Sequence, residues 1–153
     1  MKVKDIMTPG PLTCAPGTNL ATAASLMLDG DCGILPVVED GKLLGVVTDR
    51  DICIALATRN RLASDLTAGE VQQAPVHTCG PDDDVHSALS TMKQYRVRRL
   101  PVEGFGGTVS GIISLNDILL ATGAKKPVRD AEIVEALQAI CGRHHPAPHV
   151  TAA

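Results

Sequence analysis

The chain is nearly devoid of aromatic residues: 153 positions carry no Trp, one Phe and one Tyr. Stacking platforms for single-stranded nucleic acid need several aromatics, so that class of function is disfavoured and the core must be aliphatic. An excess of positive charge is also missing. The formal net charge is −3 and the pI is near 5.9, which argues against a general phosphate-backbone binder. No apolar run is long enough to cross a bilayer, and Met1-Lys2-Val3-Lys4-Asp5 leads into no apolar signal region. The expectation is a cytoplasmic protein without a membrane segment. The five cysteines, Cys14, Cys32, Cys53, Cys79 and Cys141, are odd in number and include no C-x-x-C pair. Zinc-ribbon and thioredoxin readings fail on that spacing, leaving small buried apolar residues in a reduced compartment. There is no Ser-His-Asp order, carboxylate pair or Walker loop, so no enzyme and no catalytic residue is expected. His77 and His86 are isolated. His144, His145 and His149 crowd a tail that offers no fixed geometry for a metal.

What the sequence does contain is an internal repeat. With a shift of 65 residues, Thr13-Cys14-x-Pro16 falls on Thr78-Cys79-x-Pro81, Ala23-x-Ser25-x-Met27 on Ala88-x-Ser90-x-Met92, and Leu35-Pro36-Val37 on Leu100-Pro101-Val102. One inserted residue in the Gly104-to-Ser110 loop then brings Gly45, Thr48, Asp51 and Ile52 onto Gly111, Ser114, Asp117 and Ile118. Each half reads as a helical turn followed by β-α-β-β-α. The predicted strands include Leu12-Thr13-Cys14, Val76-His77-Thr78, Ile34 to Val38, Leu100 to Val102, Leu43 to Val47 and Val109 to Ile113. Helices are predicted from Thr18 to Leu28, with Leu20, Ala23, Ala24, Met27 and Leu28 at helical spacing, and from Asp83 to Gln94, with Val85, Ala88, Leu89 and Met92. Further helices open at Thr48 and Ser114. Thr67-Ala68-Gly69-Glu70 fits a capping box. Asp82-Asp83-Asp84 suits a helix N-terminus, where the macrodipole favours carboxylates. A last amphipathic helix from about Arg129 to Cys141 places Ile133, Val134, Leu137 and Ile140 on one face. The expected division is 1–58 and 67–123 for the two repeats, 59–66 for a linker, and 124–153 for a C-terminal helix and loose tail.

The repeated stretches Gly45-Val46-Val47-Thr48-Asp49-Arg50-Asp51-Ile52 and Gly111-Ile112-Ile113-Ser114-Leu115-Asn116-Asp117-Ile118 carry the chemistry. A hydroxyl three residues before a carboxylate shares a helix face with it. The hydroxyl and the free N–H groups of the first turn can bind phosphate, and the carboxylate can accept from ribose hydroxyls. Gly45 and Gly111 would permit close approach of a ligand. Arg96-Val97-Arg98-Arg99 precedes the second Leu-Pro-Val strand, whereas its counterpart Asp31-Cys32-Gly33-Ile34 has no base. Arginine binds two phosphate oxygens with one planar fork. Arg50 could meet phosphate or pair with Asp49 or Glu39.

With Asp5-Ile6-Met7-Thr8, both Leu-Pro-Val strands and the Gly-to-Asp motif, the chain resembles a tandem pair of CBS (cystathionine-β-synthase) domains. The second half departs from the pattern at Glu70-Val71-Gln72-Gln73, which lacks Met-Thr; these positions are expected to matter little. The resemblance implies an α/β fold of two repeats related by a pseudo-two-fold axis, with two clefts that take AMP, ADP, ATP or S-adenosylmethionine. It also implies homodimers. Carried over residue by residue, the nucleotide would meet Thr48, Asp51, Ser114, Asp117, Arg98 and Arg99. Ile34, Leu35 and Leu100, with the β-branched strand residues, would wall the adenine, and Pro36 and Pro101 would also meet the nucleotide. Because Arg98 and Arg99 lie in the second half, the Ser114/Asp117 cleft is expected to hold more phosphates. The function so implied is a ligand-sensing regulatory module that signals to an effector protein on another chain. Two alternatives stand beside it: a structural dimerisation module with empty clefts, and a nucleic-acid-binding regulator using Arg96, Arg98 and Arg99.

Overall fold

The computed structural model describes residues 1–121 and 128–142. The Lys125-Lys126-Pro127 break, the end of the second repeat at residue 123 and the histidines of the tail lie outside that range. The first half runs through a 3-10 turn (Val3–Asp5), β1 (Thr8–Pro9), α1 (Leu20–Asp29), β2 (Ile34–Glu39), β3 (Lys42–Thr48) and α2 (Asp49–Arg59). The second runs through α3 (Ala68–Val71), α4 (Val85–Tyr95), β4 (Arg99–Glu103), β5 (Val109–Ser114) and α5 (Leu115–Leu120), and α6 (Asp130–Cys141) follows. The fold is mixed α/β with two small antiparallel sheets, as the repeat predicts.

Local chemistry explains the elements. Asn19 caps α1 by accepting from the Thr22 N–H at 2.8 Å. Asp84 caps α4 by accepting from the His86 N–H at 2.9 Å. Thr67 and Glu70 close the predicted capping box, with the Thr67 N–H donating to Glu70 at 2.8 Å. These contacts satisfy N–H groups that a helix start leaves without partners. Asp31 and Arg96, 65 residues apart, take the same left-handed backbone (φ 47° and 54°) just before β2 and β4. The repeat thus extends to backbone conformation.

The strands predicted at Leu12-Thr13-Cys14 and Val76-His77-Thr78 shrink to one parallel bridge each, Cys14 to Val37 and Cys79 to Val102. The cause is the proline of Leu-Pro-Val. Cys14 donates to the Pro36 carbonyl at 3.0 Å and accepts from the Val38 N–H at 2.8 Å. The next rung would need an N–H from Pro36, which has none. Pro101 stops the second ladder in the same way.

The two halves exchange their lead-in segments. β1 pairs with β5 of the second half, Thr8 opposite Ile112 and Pro9 opposite Gly111. Gln73 pairs with Val46 of β3 in the first half, by N–H to carbonyl bonds of 2.8 and 3.2 Å. The cores follow the exchange. Val3 is fully buried among Val85, Met92, Leu100 and Ile118, whereas Leu66 and Ala68 are fully buried among Leu20, Leu35 and Val47. Each such Leu or Val is worth about 1.5–3 kcal/mol relative to an exposed side chain. The lead-ins are therefore structural members of the opposite half.

Some faces differ from the periodicity. On α1, Leu20, Ala23 and Met27 are buried, but Ala24 is exposed and Leu28 is 82% exposed. On α6, Ile133 and Ala136 turn inward against the second core with Ile140 beside them, while Val134 and Leu137 face out. The buried stripe faces α4, the main helix against which α6 packs. At its edge, an ion pair from Lys93 to Glu135 at 2.5 Å and a contact of His86 with Glu132 at 3.8 Å link those two helices. The cysteines also divide: Cys14 and Cys79 are buried, Cys32 is half-buried, and Cys53 and Cys141 are exposed. Cys53 thus faces solvent rather than the core, because α2 buries only Ile52 and Ala55 there.

Candidate functional site

The two Gly-to-Asp motifs are capping boxes. The Thr48 N–H donates to Asp51 Oδ2 at 2.9 Å, the Thr48 hydroxyl donates to the same oxygen at 2.6 Å, and the Asp51 N–H returns to Thr48 Oγ1 at 3.2 Å. Ser114 and Asp117 repeat the pattern at 2.7, 2.7 and 3.2 Å. Each box fixes the start of α2 or α5 and holds one carboxylate oxygen. What the other oxygen meets differs between the halves. Asp51 Oδ1 accepts from the Gln73 side-chain amide at 2.7 Å. Asp117 Oδ1 has no hydrogen-bond partner among the described residues.

Two cavities lie between the halves. The first, about 280 Å³, carries Thr48, Asp49 and Arg50 from one half and Gln73, His77, Arg96, Arg98 and Arg99 from the other. The second, about 310 Å³, carries Ser114 and Asp117 from one half and Thr8, Leu12, Asp31, Cys32 and Ile34 from the other, with Arg99 at its side. Their linings correspond through the repeat: Gln73 to Thr8, His77 to Leu12, Arg96 to Asp31, Arg99 to Ile34, and Thr48 to Ser114. Each cavity therefore combines a capping box from one half with the lead-in and the turn before the strand from the other.

This construction corrects the expected partition. Of the two arginines expected at the Ser114/Asp117 cleft, Arg99 lines it and also the Thr48 cavity, whereas Arg98 lines the Thr48 cavity alone, with Arg96 beside it. That cavity holds four arginines against the single carboxylate of Asp49, and the other holds Arg99 against Asp31 and Asp117. Arg50 lines the Thr48 cavity, and its guanidinium has no carboxylate partner among the described residues; only its N–H meets Asp49, at 2.7 Å. Arg98 and Arg99 likewise have no carboxylate partner among the described residues.

The adenine wall changes too. Leu35 and Leu100 are fully buried in the two cores, because strand side chains alternate between faces. Their neighbours Ile34 and Pro101 reach the cavities, and Pro36 is buried opposite Val46 without lining either one. Sequence reasoning passed over His77, which lines the Thr48 cavity and stacks on Tyr95 with ring centroids 3.5 Å apart. It also set aside Gln72 and Gln73. A Cβ on Gly45 would overlap the Gln72 side-chain oxygen and stand 3.0 Å from the Gln73 carbonyl. A Cβ on Gly111 would stand 2.5 Å from Met7 Sδ and 2.9 Å from the Thr8 carbonyl. The close approach these glycines permit is used by the exchanged lead-ins, not left open for a ligand. Among the described residues no group of three or more His, Cys, Asp or Glu could hold a metal ion. No helix among them is long and apolar enough to cross a membrane.

The architecture defines a duplicated module with two clefts at the junction of its repeats. The family model for the CBS domain matches residues 3–58 and 68–123, and the chain belongs to the CBS-domain family. It is 35% identical over 116 residues to the CBS domain-containing protein YhcV of Bacillus subtilis, covering 76% of this chain and 81% of that one. It is 30% identical over 139 residues to Hypoxic response protein 1 of Mycobacterium tuberculosis, covering 90% and 92%. Among solved structures it resembles the CBS domain pair of protein MJ0100 in complex with 5-methylthioadenosine and S-adenosyl-L-methionine. That likeness has a TM-score of 0.74 and 31% identity, over 82% of this chain and 98% of that one.

Proposed function

We propose that the chain is a regulatory module that senses an adenosine-containing ligand in the clefts between its repeats. One observation carries the reading: each cavity joins a Ser/Thr-capped helix start from one half to an arginine that approaches from outside that capping box. A helix N-terminus and a guanidinium both favour a phosphate or other anionic group. The adenosine compounds bound by the MJ0100 domain pair support the ligand class. The cavities are unequal, and the arginine-rich Thr48 cavity suits AMP, ADP or ATP by their phosphates. The Asp117 cavity, with two carboxylates and Arg99, suits an adenosine ligand of little negative charge such as S-adenosylmethionine. Thr48, Ser114, Asp117, Arg50, Arg98, Arg99 and Pro101 are the contacts proposed. The signal would pass to another chain in the cytoplasm.

The same reading includes a homodimer. Ile54 of α2 and Leu120 of α5 are repeat counterparts, and both are exposed, Leu120 by 80%. A paired apolar face of this kind fits a second copy, and sedimentation of the wild type against I54E and L120E measures it. One observation favours the structural alternative for the Thr48 cavity: Asp51 is satisfied by its own chain on both oxygens.

Denaturing the purified protein and identifying released small molecules by mass spectrometry, then titrating AMP, ATP and S-adenosylmethionine by calorimetry, tests the proposal. Release of an adenosine compound, or heat with any of the three, supports it. No release and no heat overturns it.

A further inference from the structure

The two capping boxes have the same internal bonds, yet only one of them opens onto its cavity. Ser114 and Asp117 both line the second cavity, where Asp117 keeps one carboxylate oxygen without a partner among the described residues. Of the first box, Thr48 lines the cavity but Asp51 does not, and Gln73 lines it instead. The Gln73 amide donates to Asp51 Oδ1 at 2.7 Å. At the corresponding place in the other cavity stands Thr8, which is opposite Ile112 as Gln73 is opposite Val46. Threonine is too short to repeat the amide contact and bonds to no carboxylate there among the described residues.

We infer that Gln73 is a specificity-determining residue, a screen that withholds the Asp51 carboxylate from ribose. The inference rests on the nucleotide-binding reading above. A cis-diol bound at the Thr48 cavity has to displace a charge-assisted hydrogen bond, which is stronger than a neutral one. Phosphate groups meet no such obstacle, because Arg50, Arg98 and Arg99 lie outside the screen. The Thr48 cavity thus selects by phosphate, and the Asp117 cavity by nucleoside. Gln73 can be changed without undoing the strand exchange, since its pairing with Val46 uses backbone atoms alone. The neighbouring Gln72 side-chain oxygen is buried with no hydrogen-bond partner among the described residues. It gives the segment no second polar anchor of that kind.

The test is isothermal titration of AMP and of inorganic tripolyphosphate into four proteins: wild type, D117A, Q73A/D117A and Q73T/D117A. D117A weakens nucleoside binding at the other cavity, so the double variants report the Thr48 cavity. Thermal melts show that each variant is folded. Removing the screen should raise the AMP affinity relative to tripolyphosphate by about tenfold, the worth of one charge-assisted hydrogen bond no longer broken on binding. Q73T, which copies the Thr8 side chain, should do the same as Q73A. A gain of AMP binding only in the Gln73 variants also supports the screen. An unchanged or lower ratio, with D117A still binding AMP, overturns the screen and leaves the nucleotide reading standing. No AMP binding by any of the four proteins overturns the screen, and if ATP and S-adenosylmethionine also give no heat and no adenosine compound is released, the nucleotide reading falls with it.

Discussion

Gly45 lies directly under Gln72, so closely that any Cβ on Gly45 would overlap the Gln72 side-chain oxygen. The contact joins β3 of the first half to the lead-in of the second. Gly111 stands in the same relation to Met7 and Thr8. At both places a backbone without a side chain is the condition for the exchange of lead-ins.

Replacing either glycine by alanine should therefore push a lead-in off its sheet. Overpacking of this kind costs about 1–3 kcal/mol. Each alanine meets a backbone oxygen as well as a side chain, the Gln73 carbonyl at 3.0 Å for Gly45→Ala and the Thr8 carbonyl at 2.9 Å for Gly111→Ala, so the two costs should be similar. Urea denaturation monitored by far-UV circular dichroism measures both. Stability equal to wild type would show that the lead-in yields without loss.

The first lead-in is also held by charge. Lys2 and Lys4 both bind Asp82 Oδ1, at 2.8 and 2.7 Å. These hydrogen bonds lower the Asp82 carboxyl from 3.8 to about 2. A carboxyl lowered in the folded state contributes stability above its unfolded pKa and loses it as pH falls through the folded value. The contribution should be whole above pH 3.8 and fade toward pH 2. Thermal melts across that window should converge for wild type and Asp82→Asn at the acid end. A gap that stays constant with pH would remove this account. All three side chains are exposed and salt should weaken the effect.

The thiols should sort by position. Burial, with the Asp83 carboxylate nearby, pushes Cys79 up to about 12, and burial raises Cys14 as well. Thiolate is the reacting form. At neutral pH an alkylating reagent should mark Cys53 and Cys141 in the folded protein, and Cys14 and Cys79 only after denaturation. Peptide mapping by mass spectrometry reads the order. Early labelling of Cys79 would mean that the Cys79–Val102 bridge opens readily.

Arg98 should distinguish ligands by phosphate count. Arg98→Ala should weaken ATP by up to about tenfold, and AMP less, because an exposed guanidinium contributes one charge-assisted contact. Arg99 lines both cavities, so Arg99→Ala should weaken binding at each. Titration calorimetry at two salt concentrations separates the cases. Equal losses for ATP and AMP with Arg98→Ala would count against phosphate selection.

Much of this was legible in the residues. The repeat is written in identities such as Leu35-Pro36-Val37 against Leu100-Pro101-Val102, and Thr48/Asp51 against Ser114/Asp117 carries the cap chemistry that starts α2 and α5. What the sequence hid is a matter of which half faces which. A repeat shift compares positions within halves, whereas both cavities are assembled across them. Read within halves, Arg98 belongs with the capping box of its own half, and Gln73, which stands where the first half has Thr8, carries little weight because it is outside the Ser/Thr-to-Asp motif. The alternation that buries Leu35 and turns Ile34 outward could have been read, since strand side chains alternate. His77 could not, for a lone histidine carries no signal until the fold places it.

The exchange of lead-ins also bears on descent. One repeat by itself would hold a Val3 with no pocket to enter and a Gly45 with nothing above it. Two separate copies could meet both needs across a two-fold axis, as closed pairs of identical chains do. Such a pair, however, must carry every residue twice. Once both repeats share one chain, Gln73 can stand where the twin has Thr8, and Arg98 where the twin has Gly33. Covalent joining is what allows one symmetric receptor to become two dissimilar ones.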